Sequence, residues 1–205
     1  MAVKTPLVMS WSGGKDSAYA LYRLLSGGQY DVRYLFTTIY QPLGRVSMHG
    51  IPENMIEAQA KSIGIPLLKM YLTEQSHAAY DDNMRALLLD LKKEKIHTVA
   101  FGDIFLEDLK EYRENRLAEV DMHAVFPLWK ENTGELARQF IRDGFKTHLC
   151  SINAELLDQT LVGCDFSEEF LRQLPPGIDP CGENGEFHSY CYDGPVFKER
   201  INFSI

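Results

Sequence analysis

Short apolar runs and amphipathic stretches alternate along this chain, and their spacing predicts a β-α succession. Residues 6–11 (Pro-Leu-Val-Met-Ser-Trp) are apolar and compact enough for a buried strand. Ala18, Leu21, Tyr22, Leu24 and Leu25 then recur at three- and four-residue spacing, one side of a helix. Residues 31–39, rich in β-branched and aromatic side chains, predict a second strand. Residues 52–64 read as a helix with proline near its start and glycine at its end. A third strand at 66–72, a helix at 80–94 and a fourth strand at 97–101 follow, the last ending at Gly102-Asp103. Helices near 107–120 and 133–143 flank a short strand at 123–126, and 145–152 predicts another. Residues 190–197 read as two short strands around a turn. Such alternation implies an α/β fold, a parallel twisted sheet with helices on both faces. No repeat, low-complexity tract or long linker interrupts it.

The junction of the first strand and first helix reads Ser12-Gly13-Gly14-Lys15-Asp16-Ser17. Two glycines let the backbone turn sharply and bring its N–H groups close to an anion. The helix start adds exposed N–H groups and a partial positive charge. Lys15 contributes a formal charge, and Ser12 and Ser17 contribute hydroxyls. The plain alternative is a glycine turn with a helix N-cap, which accounts for one Gly and one Ser but not for the six-residue word. The nucleotide loop is of neither common kind: the Walker A spacing and the Gly-x-Gly-x-x-Gly fingerprint are both absent.

In open α/β sheets ligands bind beyond the carboxyl ends of the strands. That rule brings the 12–17 loop, the 40–51 loop and Gly102-Asp103 together. Gly102 would let the backbone approach the nucleotide, and Asp103 would bind magnesium or a ribose; the plain alternative is a strand-ending turn. His49 can orient a substrate or shuttle a proton, against the ordinary reading of a solvated loop histidine. Tyr112, Arg113 and Arg116 share a helical face, and an arginine fork suits phosphate or carboxylate recognition. The competing reading is a solvated helix with local Glu–Arg pairs. Residues 179–189 (Asp-Pro-Cys-Gly-Glu-Asn-Gly-Glu-Phe-His-Ser) pack glycines, acids and a histidine into one loop. Glu183 and Glu186 can bind magnesium or act as bases, and His188 can assist proton transfer. A hairpin connection is the competing account.

Composition narrows the class. The 205 residues suit one domain, or one domain with a small lobe, at 45% hydrophobic and 24% charged. A net charge of −8 argues against broad nucleic-acid binding. The sequence has no 18-residue apolar stretch and no long apolar segment at its opening residues, which predicts a cytoplasmic protein without a membrane span. Cysteines 150, 164, 181 and 191 form no Cys-x-x-Cys pair, so a structural zinc or thiol-disulfide site is poorly supported.

Ser-Gly-Gly-Lys-Asp-Ser is similar to the loop of the PP-loop ATP pyrophosphatases. With Gly102-Asp103, Tyr112…Arg116, Pro127-Leu-Trp129, Gly-Glu-Asn-Gly-Glu-Phe-His (182–188) and Tyr-Asp-Gly-Pro (192–195) in one order, the chain resembles the diphthine–ammonia ligase family over about residues 5–198. The spelling of the C-terminal motif looks like that family's short bacterial branch. The resemblance implies an adenine nucleotide α-hydrolase-like, Rossmann-like domain over residues 1–130. A small α+β lobe over 131–205 would shape the substrate pocket. It implies ATP and Mg2+ as cofactors, with Ser12, Gly13, Gly14, Lys15, Asp16, Ser17, Gly102, Asp103 and Arg116 on the nucleotide. His49, Tyr112, Gly182, Asn184 and Gly185 would face the substrate; Lys15, Glu183, Glu186 and His188 would carry the chemistry. The implied reaction adenylates a carboxylate acceptor, small molecule or protein, with ATP going to AMP and pyrophosphate. Ammonia or another amine then displaces AMP. A tRNA- or metabolite-modifying PP-loop enzyme and a non-catalytic ATP sensor are the alternatives; a homodimer is compatible with the resemblance.

Overall fold

A computed structural model describes residues 3–74 and 76–203; of the opening segment, Met1 and Ala2 lie outside them. In chain order the elements are β1 (Thr5–Ser10), α1 (Lys15–Gly27), β2 (Tyr30–Tyr40), β3 (Arg45–Val46), α2 (Glu53–Ile63), β4 (Leu67–Leu72) and α3 (His77–Lys93). Then come β5 (Thr98–Ala100), α4 (Glu107–Ala118), β6 (His123–Val125), α5 (Thr133–Arg142), β7 (Lys146–Ile152), α6 (Glu168–Gln173) and β8 (Phe187–Asp193).

Five strands run parallel in the order β4-β2-β1-β5-β6, and the two-residue β3 adds antiparallel to the end of β2. The strand order reverses between β1 and β5, so the crevice at their carboxyl ends is where a ligand site belongs. Alternation along β1 divides the core: Leu7 and Met9 face one apolar cluster, Val8 the other. The first cluster holds the buried stripe of α1 (Ala18, Leu21, Leu24); Leu25, predicted on that stripe, stays 42% exposed near the helix end. The second cluster packs α3 and α4 on the opposite face through Met84, Leu88, Leu91 and Leu117. No helix among the described residues is long and apolar enough to cross a membrane.

The C-terminal third departs from the predicted alternation in two ways. β7 does not extend the parallel sheet; it pairs antiparallel with β8 in a separate ribbon. Aromatic packing accompanies this: Phe140 and Phe145, either side of the α5–β7 turn, lie 5.8 and 5.7 Å from the ring of Tyr19 on α1. The chain therefore enters β7 against the α1 face of the sheet, not at its edge. Second, residues 190–197 form no hairpin. One strand, β8, ends at Asp193, and Gly194 (φ 143°) turns the chain where an added Cβ would stand 2.5 Å from Phe145 Cδ1.

Candidate active site

The loop between β1 and α1 is shaped by contacts on three sides. Gly13 sits at φ 83°, and a Cβ there would meet Ile56 Cδ1 at 2.5 Å. Only glycine meets both demands. Gly14 lies under β8, its absent Cβ 3.1 Å from the Ser189 carbonyl. A helix start leaves its first amides without intrahelical partners. Ser189 Oγ accepts the Lys15 N–H at 3.1 Å, and Ser12 Oγ accepts the Gly14 N–H at 3.3 Å. Ser12 Oγ donates to Ser17 Oγ (3.2 Å), which donates to the Gly14 carbonyl (2.9 Å). The six predicted loop residues thus form one turn, closed over by the C-terminal ribbon.

Lys15 is buried, with Nζ 2.8 and 2.7 Å from the two Asp16 carboxylate oxygens and donating also to the Cys181 carbonyl. It stands 5.5 Å from the Phe187 ring centroid and 5.7 Å from that of Phe166. Burial works to strip the ammonium of its proton, but Asp16, Cys181 and Glu183 hold its pKa above the ordinary lysine value. Asp16 is itself pushed up, by burial first and then by Asp179 and Asp103, against the pull of Lys15. A fixed positive charge therefore sits among several carboxylates at the start of α1.

The two glutamates of the C-terminal loop separate by geometry. Glu186 is buried and saturated: Oε1 accepts from the Asp179 N–H (3.1 Å) and Asn184 Nδ2 (3.0 Å), Oε2 from the Asn184 N–H (3.0 Å). Although burial opposes ionisation, these hydrogen bonds hold its pKa below the ordinary value. Gly182 (φ 69°) and Gly185 (φ 85°) supply the left-handed turns of the loop, and a Cβ on Gly182 would press on the Phe187 ring at 2.9 Å. Asp179 Oδ2 accepts the Glu183 N–H at 2.9 Å. Glu183 then crosses to the main sheet, its Oε1 accepting the Ile104 N–H at 2.7 Å just beyond β5. Burial and the nearby Asp16 charge push the Glu183 carboxyl up to about 7.

Gly102 brings a backbone close, as predicted, but the backbone is that of α1. A Cβ would lie 3.0 Å from Asp16 C and from Ser17 N. Asp103 pairs with Arg113 through one hydrogen bond, Nη2 donating to Oδ1 at 3.1 Å, while Nε stands 2.8 Å from Oδ2 as an ion-pair contact without hydrogen-bond geometry. The helical triad divides here, because residues 112 and 113 point about 100° apart around α4. Arg113 turns to the sheet end, while Tyr112 and Arg116 turn to α3. Tyr112 donates to Asp81, and Arg116 pairs with Glu119 (3.0 Å) and Asp81 (3.8 Å). Arg116 lines a surface cleft of 220 Å³ with Arg85, Met84 and Leu88. The structure thus brings neither Tyr112 nor Arg116 into contact with the 12–17 loop. Among the described residues no three His, Cys, Asp or Glu side chains are placed to hold a metal ion, and Asp103 is committed to Arg113.

His49 and His188 meet from separate elements, ring centroids 4.6 Å apart at 43°. Burial and the adjacent His188 push His49 down to about 3; burial and Lys15 push His188 down. In each ring burial disfavours the cation. Sequence reasoning passed over Ser189 as an amide partner and Gln59 as the neighbour of Gly13. Neither carries a motif, since each contact joins positions far apart in the chain.

Fold and site together define an α/β protein with a glycine-lysine loop at the strand-order switch, roofed by a C-terminal acidic loop. The chain belongs to the diphthamide synthase family: its profile for the diphthamide synthase N-terminal domain matches residues 5–124, and that for the C-terminal domain residues 132–204. Curated relatives include the diphthine–ammonia ligases of Mus musculus and Homo sapiens. Each is 25% identical, over 93% of this chain and 79% of that protein. The Schizosaccharomyces pombe diphthine–ammonia ligase is 22% identical over 93% of this chain and 34% of its own length. Among solved structures, the U34-tRNA thiolase NcsA from Methanococcus maripaludis with its [4Fe-4S] cluster aligns at TM-score 0.42 and 15% identity. That alignment covers 69% of this chain and 58% of the thiolase. The chain is thus an enzyme of a ligase family.

Proposed function

We propose that the protein activates a carboxylate with ATP and forms an amide from it. The observation that carries this reading is the convergence, in a member of this ligase family, of the 12–17 loop and the 179–189 loop: Ser189 Oγ accepts the Lys15 N–H, Lys15 Nζ donates to the Cys181 carbonyl, and Glu183 reaches the Ile104 N–H at the end of the sheet. The α1 amides, Lys15 and the hydroxyls of Ser12 and Ser17 bind the ATP phosphates. Magnesium arrives on those phosphates as part of the substrate. An acceptor carboxylate oxygen attacks the α-phosphorus and pyrophosphate leaves, while the charge of Lys15 offsets the developing negative charge. Ammonia then attacks the acyl carbonyl and AMP departs with the C–O bonding pair.

Glu183, not Glu186, takes the proton from the nitrogen. Its Oε1 accepts the Ile104 N–H, and burial with the Asp16 charge pushes its carboxyl up to about 7, the range that suits a general base near neutral pH. Every hydrogen bond of Glu186 goes to the loop itself, so its part is to hold the loop's shape. His49 and His188 form a neutral wall on the acceptor side.

The test is incubation of the pure protein with Mg-ATP, with and without ammonium and a pool of carboxylic acids, followed by phosphorus NMR. AMP plus pyrophosphate that depends on both additions is the expected result. ADP plus phosphate would sink the adenylation mechanism, and tight ATP binding without turnover would make the protein a sensor.

A further inference from the structure

Gln59 on α2 is completely buried, and its amide is engaged at both ends. Trp11 Nε1 donates to Oε1 at 2.8 Å; Nε2 donates to the Gly13 carbonyl at 2.9 Å and to the Cys191 carbonyl at 2.6 Å. Indole is a donor only, so Trp11 fixes which end of the amide is oxygen and aims both N–H bonds at the two carbonyls. The Cys191 N–H donates to the same Gly13 oxygen at 2.9 Å. Two residues earlier on β8, Ser189 Oγ receives the Lys15 N–H. Ser189 reaches the loop with its hydroxyl and Cys191 with its backbone, so β8 and Gln59 grip the loop together.

The consequence lies in which way the Gly13 peptide points. An anion-binding turn needs its N–H groups facing the ligand and its carbonyls facing away. Gly13, at φ 83° and without a Cβ, has a soft peptide that can rotate its oxygen toward the anion. The two donors, Gln59 and the Cys191 N–H, hold that oxygen out.

We propose that Gln59 is a positioning residue for nucleotide binding: it keeps the Gly13 carbonyl turned away from the phosphates and ties the loop to β8. This rests on reading residues 12–17 as the ATP phosphate site. Release of the carbonyl places an oxygen where phosphate oxygens must sit, and ATP affinity falls even in a folded protein.

The experiment measures ATP affinity by calorimetry and thermal stability in parallel, for wild type, Gln59→Met, Gln59→Glu and Trp11→Phe, from about pH 5.5 to about pH 8. Gln59→Met keeps the shape but has no donors, and weakens ATP binding roughly tenfold at every pH. Gln59→Glu, as a carboxylate, confronts two carbonyls; protonated, it donates to one. Its affinity relative to wild type therefore recovers as pH falls, and burial raises its pKa into the measured range. Asp16, Glu183, His49 and His188 titrate around the same site but are common to all variants, so the ratio to wild type isolates residue 59. Trp11→Phe removes only the orienting donor and costs a smaller factor. A merely structural role would lower melting temperatures and leave the affinity of the folded protein unchanged. Folded Gln59→Met that binds ATP like wild type, or Gln59→Glu without recovery, overturns the proposal. If neither Gln59 variant folds, a wild-type affinity in Trp11→Phe overturns it. Wild type that fails to bind ATP at any pH overturns the phosphate-site reading itself.

Discussion

Glu183→Gln is expected to make the protein more stable and inactive at once. In the folded chain the carboxyl titrates at about 7, against 4.5 for an ordinary glutamate, with burial the main cause and the Asp16 charge the second. Below pH 4.5 the group is protonated in both folded and unfolded chains, so it makes no difference to stability. Between 4.5 and about 7 only the unfolded chain ionises, and stability falls as pH rises. Above that window the folded chain carries the whole penalty, about 3 kcal/mol at about 1.4 kcal/mol per pH unit. Glutamine keeps an oxygen for the Ile104 N–H and has no charge to desolvate. Urea unfolding of both proteins should give equal stabilities near about pH 4 and a gain for Glu183→Gln of about 2–3 kcal/mol near about pH 8. That gain corresponds to about 5–10 °C in melting temperature for a chain of this length. Turnover should fall by about a hundredfold or more, the usual contribution of a general base. A gain of the same size at both pH values would show that charge is not its cause. A loss at alkaline pH would refute the reasoning outright.

Glu186→Gln should behave in the opposite sense, destabilising by about 2 kcal/mol or more because a charged acceptor of three hydrogen bonds becomes a neutral one. Since its pKa is lowered in the fold, the wild-type advantage is present above pH 4.5 and disappears as pH falls through the folded value; acid unfolding of the two proteins should converge. Gly102→Ala should cost about 1–3 kcal/mol in thermal unfolding and weaken ATP binding, because its methyl meets the Asp16–Ser17 backbone and no side chain can give way. Arg116→Ala should leave the ATP dissociation constant within about twofold of wild type, since its partners are Asp81 and Glu119. A larger change in calorimetry would place Arg116 on the nucleotide after all. Arg113→Met should destabilise by about 3 kcal/mol by leaving Asp103 unpaired, and addition of Asp103→Asn should recover much of it in a double-mutant cycle.

Local periodicity alone accounts for several of the elements. The apolar run ending at Trp11, the α1 stripe and the glycine-ended α2 all form where their spacing indicated, because strand and helix periods are imposed within a few residues of backbone. The turn over residues 12–17 was legible too, since glycine freedom and a helix start are local properties. Only the tertiary structure decided the rest. β7 and β8 carry ordinary strand patterns, yet they pair with each other outside the main sheet, where Phe140 and Phe145 pack on Tyr19, over a hundred residues away. Glu183 and Glu186 are equal in composition; three hydrogen bonds within the loop hold the Glu186 carboxyl low, while burial and the Asp16 charge push that of Glu183 up. Tyr112, Arg113 and Arg116 look like one recognition face, but a helix turns about 100° per residue, and the acidic partners lie on two different neighbours. Burial, hydrogen-bond satisfaction and the pKa values that follow belong to three-dimensional neighbours, and linear spacing cannot encode who those neighbours are.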